Sequence, residues 1–280
     1  VPARPVSLAA ATAAALALAL GVSACGSGGS DSGALSPPPA TPAATSSPAT
    51  SPTSPDASAT PTPTLAPAVS SPAPSPAPTK PPHVGLQSGD KGAEVAALQK
   101  RLVDLGFWMS STDGSYGDTT QQAVLAFQKA AGLERDGVAG PLTMKAVQAG
   151  VTVAPRSTSG HVIEVDKTRQ LVFIVNNGKI ADIFNTSTGS GQAYQYAGQT
   201  NIALTPSGQF TIFRQVDGDD PGPLGDLWRP KYFNGGIALH GAASIPGYPA
   251  SHGCARLSDA AIDWIWSTNQ APIGTSVWVY

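Results

Sequence analysis

The chain has 280 residues, with 16 Lys and Arg against 18 Asp and Glu, for a formal net charge of −2. No Lys/Arg cluster stands anywhere in it, so nothing supports nucleic-acid binding. It holds two cysteines, Cys25 and Cys254, far apart and in regions of very different composition.

One charge, Arg4, precedes an Ala/Leu-rich run from Leu8 to Val22 and the small residues Ser23 and Ala24. At about 15 residues the run falls short of the roughly 20 that a bilayer-crossing helix needs, so residues 1–25 are expected to be a secretory signal peptide. The quartet Val22, Ser23, Ala24, Cys25 resembles the bacterial lipobox. That resemblance implies lipidation of Cys25 and an exported protein anchored on the outer side of the cytoplasmic membrane, facing the wall. Residues 26–82 are almost wholly Ala, Pro, Ser, Thr and Gly, with Asp31, Asp56 and Lys80 as the only charges. Such a segment buries no core and is expected to be a semi-extended spacer reaching between roughly 40 and 180 Å.

From residue 83 to 152 a small all-α unit is expected. DGSYGDTTQQAV from Asp113 and DGVAGPLTMKAV from Asp136 both read D-G-x-x-G-x-x-T-x-x-A-V, one loop-and-helix unit per copy. Upstream, Val95, Leu98, Leu102 and Leu105 lie on one helical face, with Gly106 as the C-terminal cap. The second helix is expected to bury Ala123, Val124 and Phe127, and the third, starting near Pro141, Leu142, Ala146 and Val147. V-x-x-L-Q-x-x-L-x-x-L-G, then the first repeat running into F-Q, then G-L-x-x-D-G resembles the peptidoglycan-binding repeat domain of bacterial wall enzymes. The resemblance implies binding of wall polymer in a shallow groove.

Residues 160–280 change to a two-residue, β-branched pattern: VIEVD, QLVFIV, GQFTIF, GIAL and TSVWVY read as strands. Asn177-Gly178 fits a type I′ hairpin turn. A helix is expected from Asp259 to Thr268, with Ser258 as N-cap, Pro272 closing its exit and Ile262, Ile265 and Trp266 as its apolar face. The fold expected is thus multi-domain: a three-helix unit, then a mostly-β sandwich or partly closed barrel.

If Cys25 carries lipid, Cys254 has no intramolecular partner in an oxidising compartment. A free thiol has a pKa near 8.5, so a nucleophilic role requires a base or a positive field. His252 stands two residues before it, on the same face if the chain is extended, and His240 ends the strand GIAL. Gly253 lets backbone amides approach a carbonyl oxygen, and Arg256 brings a planar cation suited to a carboxylate. The same residues allow other readings. His240, His252 and Cys254 are possible zinc ligands, but no Asp or Glu stands between Asp226 and Asp259 to complete such a site. Asp217, Asp219 and Asp220 lack the terminal Glu of a calcium loop. His83 and His161 are read as non-catalytic, and Tyr232, in WRPKYFNGG, as a substrate contact or a core residue.

I-A-L-H-G, a ten-residue gap, then S-H-G-C-x-R-L resembles the L,D-transpeptidase catalytic domain, with N-T-S-T-G from Asn185 and T-P-S-G-x-F-T-I from Thr205 also matching. The resemblance implies Cys254 as nucleophile, His240 as general base, and Gly241, Ser in some members, as the residue whose carbonyl orients the imidazole. It implies Ser251, His252 and Gly253 as lining, with the Gly253 and Cys254 amides holding an oxyanion, and Arg256 as substrate contact. Peptidoglycan stem peptides are the implied substrate, carbapenem-type β-lactams the implied inhibitors, and 3-to-3 cross-linking the implied reaction, with no metal and no cofactor. A hydrolytic L,D-carboxypeptidase and an inactive wall-binding lipoprotein are the alternatives.

Overall fold

The computed structural model describes residues 84–243 and 245–280; the expected signal peptide, Cys25 and the spacer lie outside them. Three helices come first. Helix α1 (Ala93–Asp104) buries Val95, Leu98 and Leu102, and α2 (Asp118–Ala131) buries Ala123, Val124 and Phe127. Helix α3 (Pro141–Ala149) starts on its proline and ends at Gly150 in the left-handed conformation. The expectation for Leu142 is corrected: it is 72% exposed, and Thr143 and Val147 take the inward positions. The reason is polar. Thr143 Oγ1 accepts from the Gln128 side chain at 3.2 Å, which turns Leu142 out.

That contact explains the repeat. In the first copy Gln99 Nε2 donates to Ser115 O and Thr120 Oγ1 at 3.0 and 2.8 Å, while Gly114 N donates to Gln99 Oε1 at 2.8 Å. In the second, Gln128 Nε2 donates to Val138 O and Asp136 Oδ1, and Gly137 N donates to Gln128 Oε1. Each D-G-x-x-G-x-x-T loop is therefore closed around a buried glutamine from the helix before it.

The β region runs β1 (His161–Asp166), β2 (Leu171–Asn176), β3 (Lys179–Asn185), β4 (Ala193–Tyr196), β5 (Gln199–Ile202), β6 (Gly208–Thr211), β7 (Arg214–Gln215), β8 (Asp219–Asp220), β9 (Leu227–Asn234), β10 (Ile237–Ala242), β11 (Ala255–Ser258), α4 (Asp259–Ser267) and β12 (Ser276–Val279). Asn177 and Gly178 both have positive φ, 49° and 76°, in the two-residue β2–β3 turn. One sheet has the order β3-β2-β1-β12-β6, a second β11-β10-β9-β7 with β8 also on β9, and β4–β5 is a separate hairpin. The two sheets make a sandwich and do not close into a barrel.

The first sheet is covered on both faces. Ile163, Val165, Val172 and Ile174 meet Phe233, Leu239, Leu257 and Ile262 of the second sheet and α4. Leu171, Phe173, Val175 and Ile183 instead join Val95, Leu98, Val124 and Phe127 of the helices. A continuous apolar run such as Leu171–Val175 is what a doubly covered strand needs. Just after α1, Phe107 enters the helical core and Trp108 the sandwich core, and Trp108 N donates to Ile183 O at 3.0 Å.

Helix α4 begins as expected, with Ser258 Oγ accepting from Ala261 N. Its packing face is wider than expected: Ala261, Ile262 and Ile265 are buried, and Trp264, outside the expected apolar face, packs against Trp108 and Phe184. Trp266 donates its indole N–H to Arg229 O and lies under Lys231 Nζ, 3.7 Å from the ring centroid.

Candidate active site

The site is built where β10 and β11 run parallel, with Leu239 opposite Ala255 and His240 opposite Arg256. Leu239, Ala255 and Leu257 face the core, so alternation places His240 and Arg256 on the other face. Strand β9 carries an extra residue across from His240: Leu239 pairs with Lys231 and Gly241 with Trp228. Such a bulge re-aims the facing side chain, and Pro230 within it has no N–H to pair.

His240 is 5% exposed, and its Nδ1 lies 2.7 Å from Gly241 O. A carbonyl oxygen only accepts, so Nδ1 carries the proton and Nε2 the lone pair. Burial pulls the imidazole pKa down to about 4, the Gly241 carbonyl opposes this, and the Arg256 charge adds to it. Glycine leaves room for its neighbours at position 241. A Cβ would stand 2.6 Å from Asp259 Oδ1 and from Trp228 Cδ1, and 2.8 Å from Ile262 Cγ2.

Cys254 lies one residue before β11, where the chain bends. Its Sγ accepts from Ala238 N at 3.4 Å and donates to Gly236 O at 3.7 Å, so the thiol stands at the edge of β10 where the backbone ladder stops. Burial pushes the Cys254 thiol up, against the opposing effects of the Ala238 N–H and the Arg256 charge. Arg256 thus acts on both thiol and imidazole. Its guanidinium makes no hydrogen bond or ion pair among the described residues. Only its backbone is tied, N to Ser187 O at 3.1 Å and O from Thr186 Oγ1 at 2.8 Å.

The remaining sequence candidates fall into place differently. Ser251 is 2% exposed and staples the nucleophile turn, its hydroxyl donating to Cys254 O at 2.6 Å and accepting from Gly253 N at 3.0 Å. The Gly253 amide is therefore engaged by Ser251, and the Cys254 amide has no partner among the described residues. Gly253 itself has φ 154°, and a Cβ there would meet Leu204 O at 2.9 Å. The bend also corrects the extended-chain argument for His252: it is exposed, with its ring 4.7 Å from that of Tyr194 in β4. Both line a cleft of about 250 Å³ with Ser190, Tyr248 and Ser251. Tyr232 is buried, donates its hydroxyl to Asp220 Oδ2 at 2.7 Å and lies under Arg214, a packed strand residue with no bond to the thiol.

Among the described residues no three His, Cys, Asp or Glu side chains converge as metal ligands. His161 is held by Asn176 at 2.6 Å, and Asp217 and Asp220 pair with Arg229 and Arg214. Sequence reasoning gave no role to N-T-S-T-G or T-P-S-G. Thr186 and Ser187 carry β11, and Thr205 Oγ1 donates to Gly253 O at 2.6 Å while accepting from Gly189 N. Their signal was the run of small hydroxyl residues.

Residues 91–147 match a family described as a peptidoglycan binding domain, and residues 160–279 match the L,D-transpeptidase catalytic domain family. A crystal structure of an L,D-transpeptidase fragment from Xylanimonas cellulosilytica is 51% identical, with a TM-score of 0.69, over 72% of this chain and 100% of that one. The chain belongs to the L,D-transpeptidase family. The helical part also resembles other wall enzymes: it is 50% identical over 66 residues to the N-acetylmuramoyl-L-alanine amidase CwlL of Bacillus licheniformis, covering 23% of this chain and 18% of that protein. A spore cortex-lytic enzyme of Oceanobacillus iheyensis is 33% identical over 125 residues, 44% of each chain. The chain thus spans less than half the length of these curated relatives. The close approach of Trp228, Asp259 and Ile262 accounts for glycine at position 241.

Proposed function

We propose that this chain is a cell-wall L,D-transpeptidase in which Cys254 is the nucleophile and His240 the general base. The observation that carries the reading is the fixed tautomer of His240. With Nδ1–H held by Gly241 O, Nε2 keeps its lone pair free for a proton, on the strand that two residues earlier, at Ala238 N, meets Cys254 Sγ.

In the first half-reaction Cys254 Sγ attacks the carbonyl carbon of the third stem-peptide residue as its proton passes to His240 Nε2. The Cys254 amide, which has no partner among the described residues, is suited to the developing oxyanion. Collapse breaks the amide bond, His240 returns the proton to the departing D-alanine amine, and a thioester remains. In the second half-reaction the amine of another stem attacks the thioester carbonyl, His240 takes the amine proton, and the thiol is regenerated as the 3-to-3 cross-link forms. Water in place of the amine gives the carboxypeptidase product. The Arg256 guanidinium, cationic and without a partner among the described residues, is suited to a stem-peptide carboxylate. The groove of about 690 Å³ lined by Leu86, Lys91, Glu94, Ala139, Pro141 and Met144 is the place for wall polymer. Lipidation of Cys25 and export to the outer face of the cytoplasmic membrane complete the proposal.

The test is intact-mass measurement of the full chain after incubation with a carbapenem, beside Cys254→Ala and His240→Ala. One adduct per chain, absent without Cys254 and formed far more slowly without His240, is the expected result. A folded parent that takes no adduct would make a wall-binding protein the better reading.

A further inference from the structure

Helix α2 reaches the frame of the thiol through one buried cation. Lys129 is 2% exposed, and its ammonium donates to Gln170 O at 3.1 Å, to Thr186 O at 2.7 Å and to the side-chain oxygen of Asn185. Burial, then the Arg135 charge, pulls its pKa down to about 7. Packing alone does not call for an ammonium here, since an apolar side chain of similar volume avoids the desolvation. What the charge does is align the chain at Asn185 and Thr186.

Those residues begin a strap on which the site hangs. Thr186 Oγ1 donates to Arg256 O, Arg256 N donates to Ser187 O, and the Ala250 and Ser251 amides both donate to Thr188 O, at 3.1 and 3.0 Å. The nucleophile turn and the backbone of Arg256 are thus suspended from a segment gripped by the helical unit. The same unit holds the chain between His240 and Cys254. Asn185 Nδ2 donates to Gln122 Oε1 at 2.6 Å and Ile245 O at 3.3 Å, and Arg135 Nη1 donates to Gly247 O at 3.0 Å. Arg135 also lies so close that a Cβ on Gly247 would stand 2.9 Å from its own Cβ.

We propose that Lys129 is a positioning residue of the catalytic centre: by holding the strap 185–188 it sets where Arg256 and the Cys254 turn stand, and makes the helical unit part of the active-site frame. This rests on Cys254 being the nucleophile. Because the Arg256 charge favours the thiolate, a strap that shifts also shifts the thiol's ionisation, which a purely structural lysine would leave alone.

The test uses the full chain and two readouts: carbapenem acylation followed by intact mass, and the pH midpoint of Cys254 alkylation by iodoacetamide, with Cys254→Ala as blank. Folded Lys129→Met is expected to acylate more slowly, on the order of tenfold to a hundredfold, with its alkylation midpoint moved upward. Thr186→Val keeps the backbone oxygen that Lys129 grips and removes only the hydroxyl that holds Arg256 O. It is expected to raise the midpoint as well, and if Lys129→Met does not fold, Lys129→Gln, which removes the charge and shortens the reach to the strap, takes its place in both readouts. Parental rate and midpoint in the folded variants, with only a lower melting temperature, would overturn the proposal. A parent that takes no carbapenem would instead overturn the function on which it rests.

Discussion

At the scale of single residues the site holds a neutral imidazole and a neutral thiol. His240 has a folded pKa of about 4, so it is already deprotonated at neutral pH, and burial raises Cys254 above the ordinary thiol range. The acylation rate is therefore expected to climb with pH through and beyond about 8.5, with no step near 6.5 where a free histidine titrates; a stopped-flow carbapenem profile reads this. His240→Ala is expected to slow acylation on the order of a hundredfold or more, the usual worth of a positioned base. The linkage runs the same way as the burial. An unfolded chain binds a proton at His240 below about 6.5 that the folded chain refuses until about 4. Stability from this group is complete above 6.5 and lost as pH falls toward 4. The melting-temperature difference between parent and His240→Asn across that window is expected to shrink with acid. Gly241→Ser adds atoms where Asp259, Trp228 and Ile262 already stand and is expected to destabilise by about 1–3 kcal/mol, read by denaturant unfolding.

At the scale of elements, the helical repeat is a device for closing two loops around two glutamines. Gln99→Ala or Gln128→Ala leaves a glycine amide and a threonine hydroxyl buried without their partner, and each is expected to cost about 1–3 kcal/mol in urea unfolding. The repeat was legible from Asp113 and Asp136 onward, but that the invariant threonine faces inward and Leu142 outward was not, because the apolar pattern says nothing of a hydroxyl answering a buried amide. The β2–β3 turn and the cap of α4 were legible because Asn-Gly and a serine before an apolar helix encode local geometry. His252 was misplaced for the converse reason. Alternation presumes an extended chain, and the Ser251 staple bends residues 251–254. Partners drawn from distant segments, such as Thr205 to Gly253 or Asn185 to Lys129, leave no periodic trace at all.

At the scale of the whole molecule, the sheet buried on both faces joins the two family matches into one body. A chain beginning at residue 152 would bare Leu171, Phe173, Val175 and Ile183, and it is expected to aggregate or lose its cooperative melting transition, measured by calorimetry beside the full chain. The groove at Leu86 and Met144 and the thiol at Cys254 consequently keep one separation, fixed by packed side chains instead of a flexible tether. For a tethered module, holding a polymer raises only the local concentration of whatever stem peptides drift past. With wall polymer in that groove, as proposed, the helical unit would act as a caliper. Glycan held in that groove would offer the thiol only the stems at one offset along the strand, so the spacing of new cross-links would be a length built into the protein.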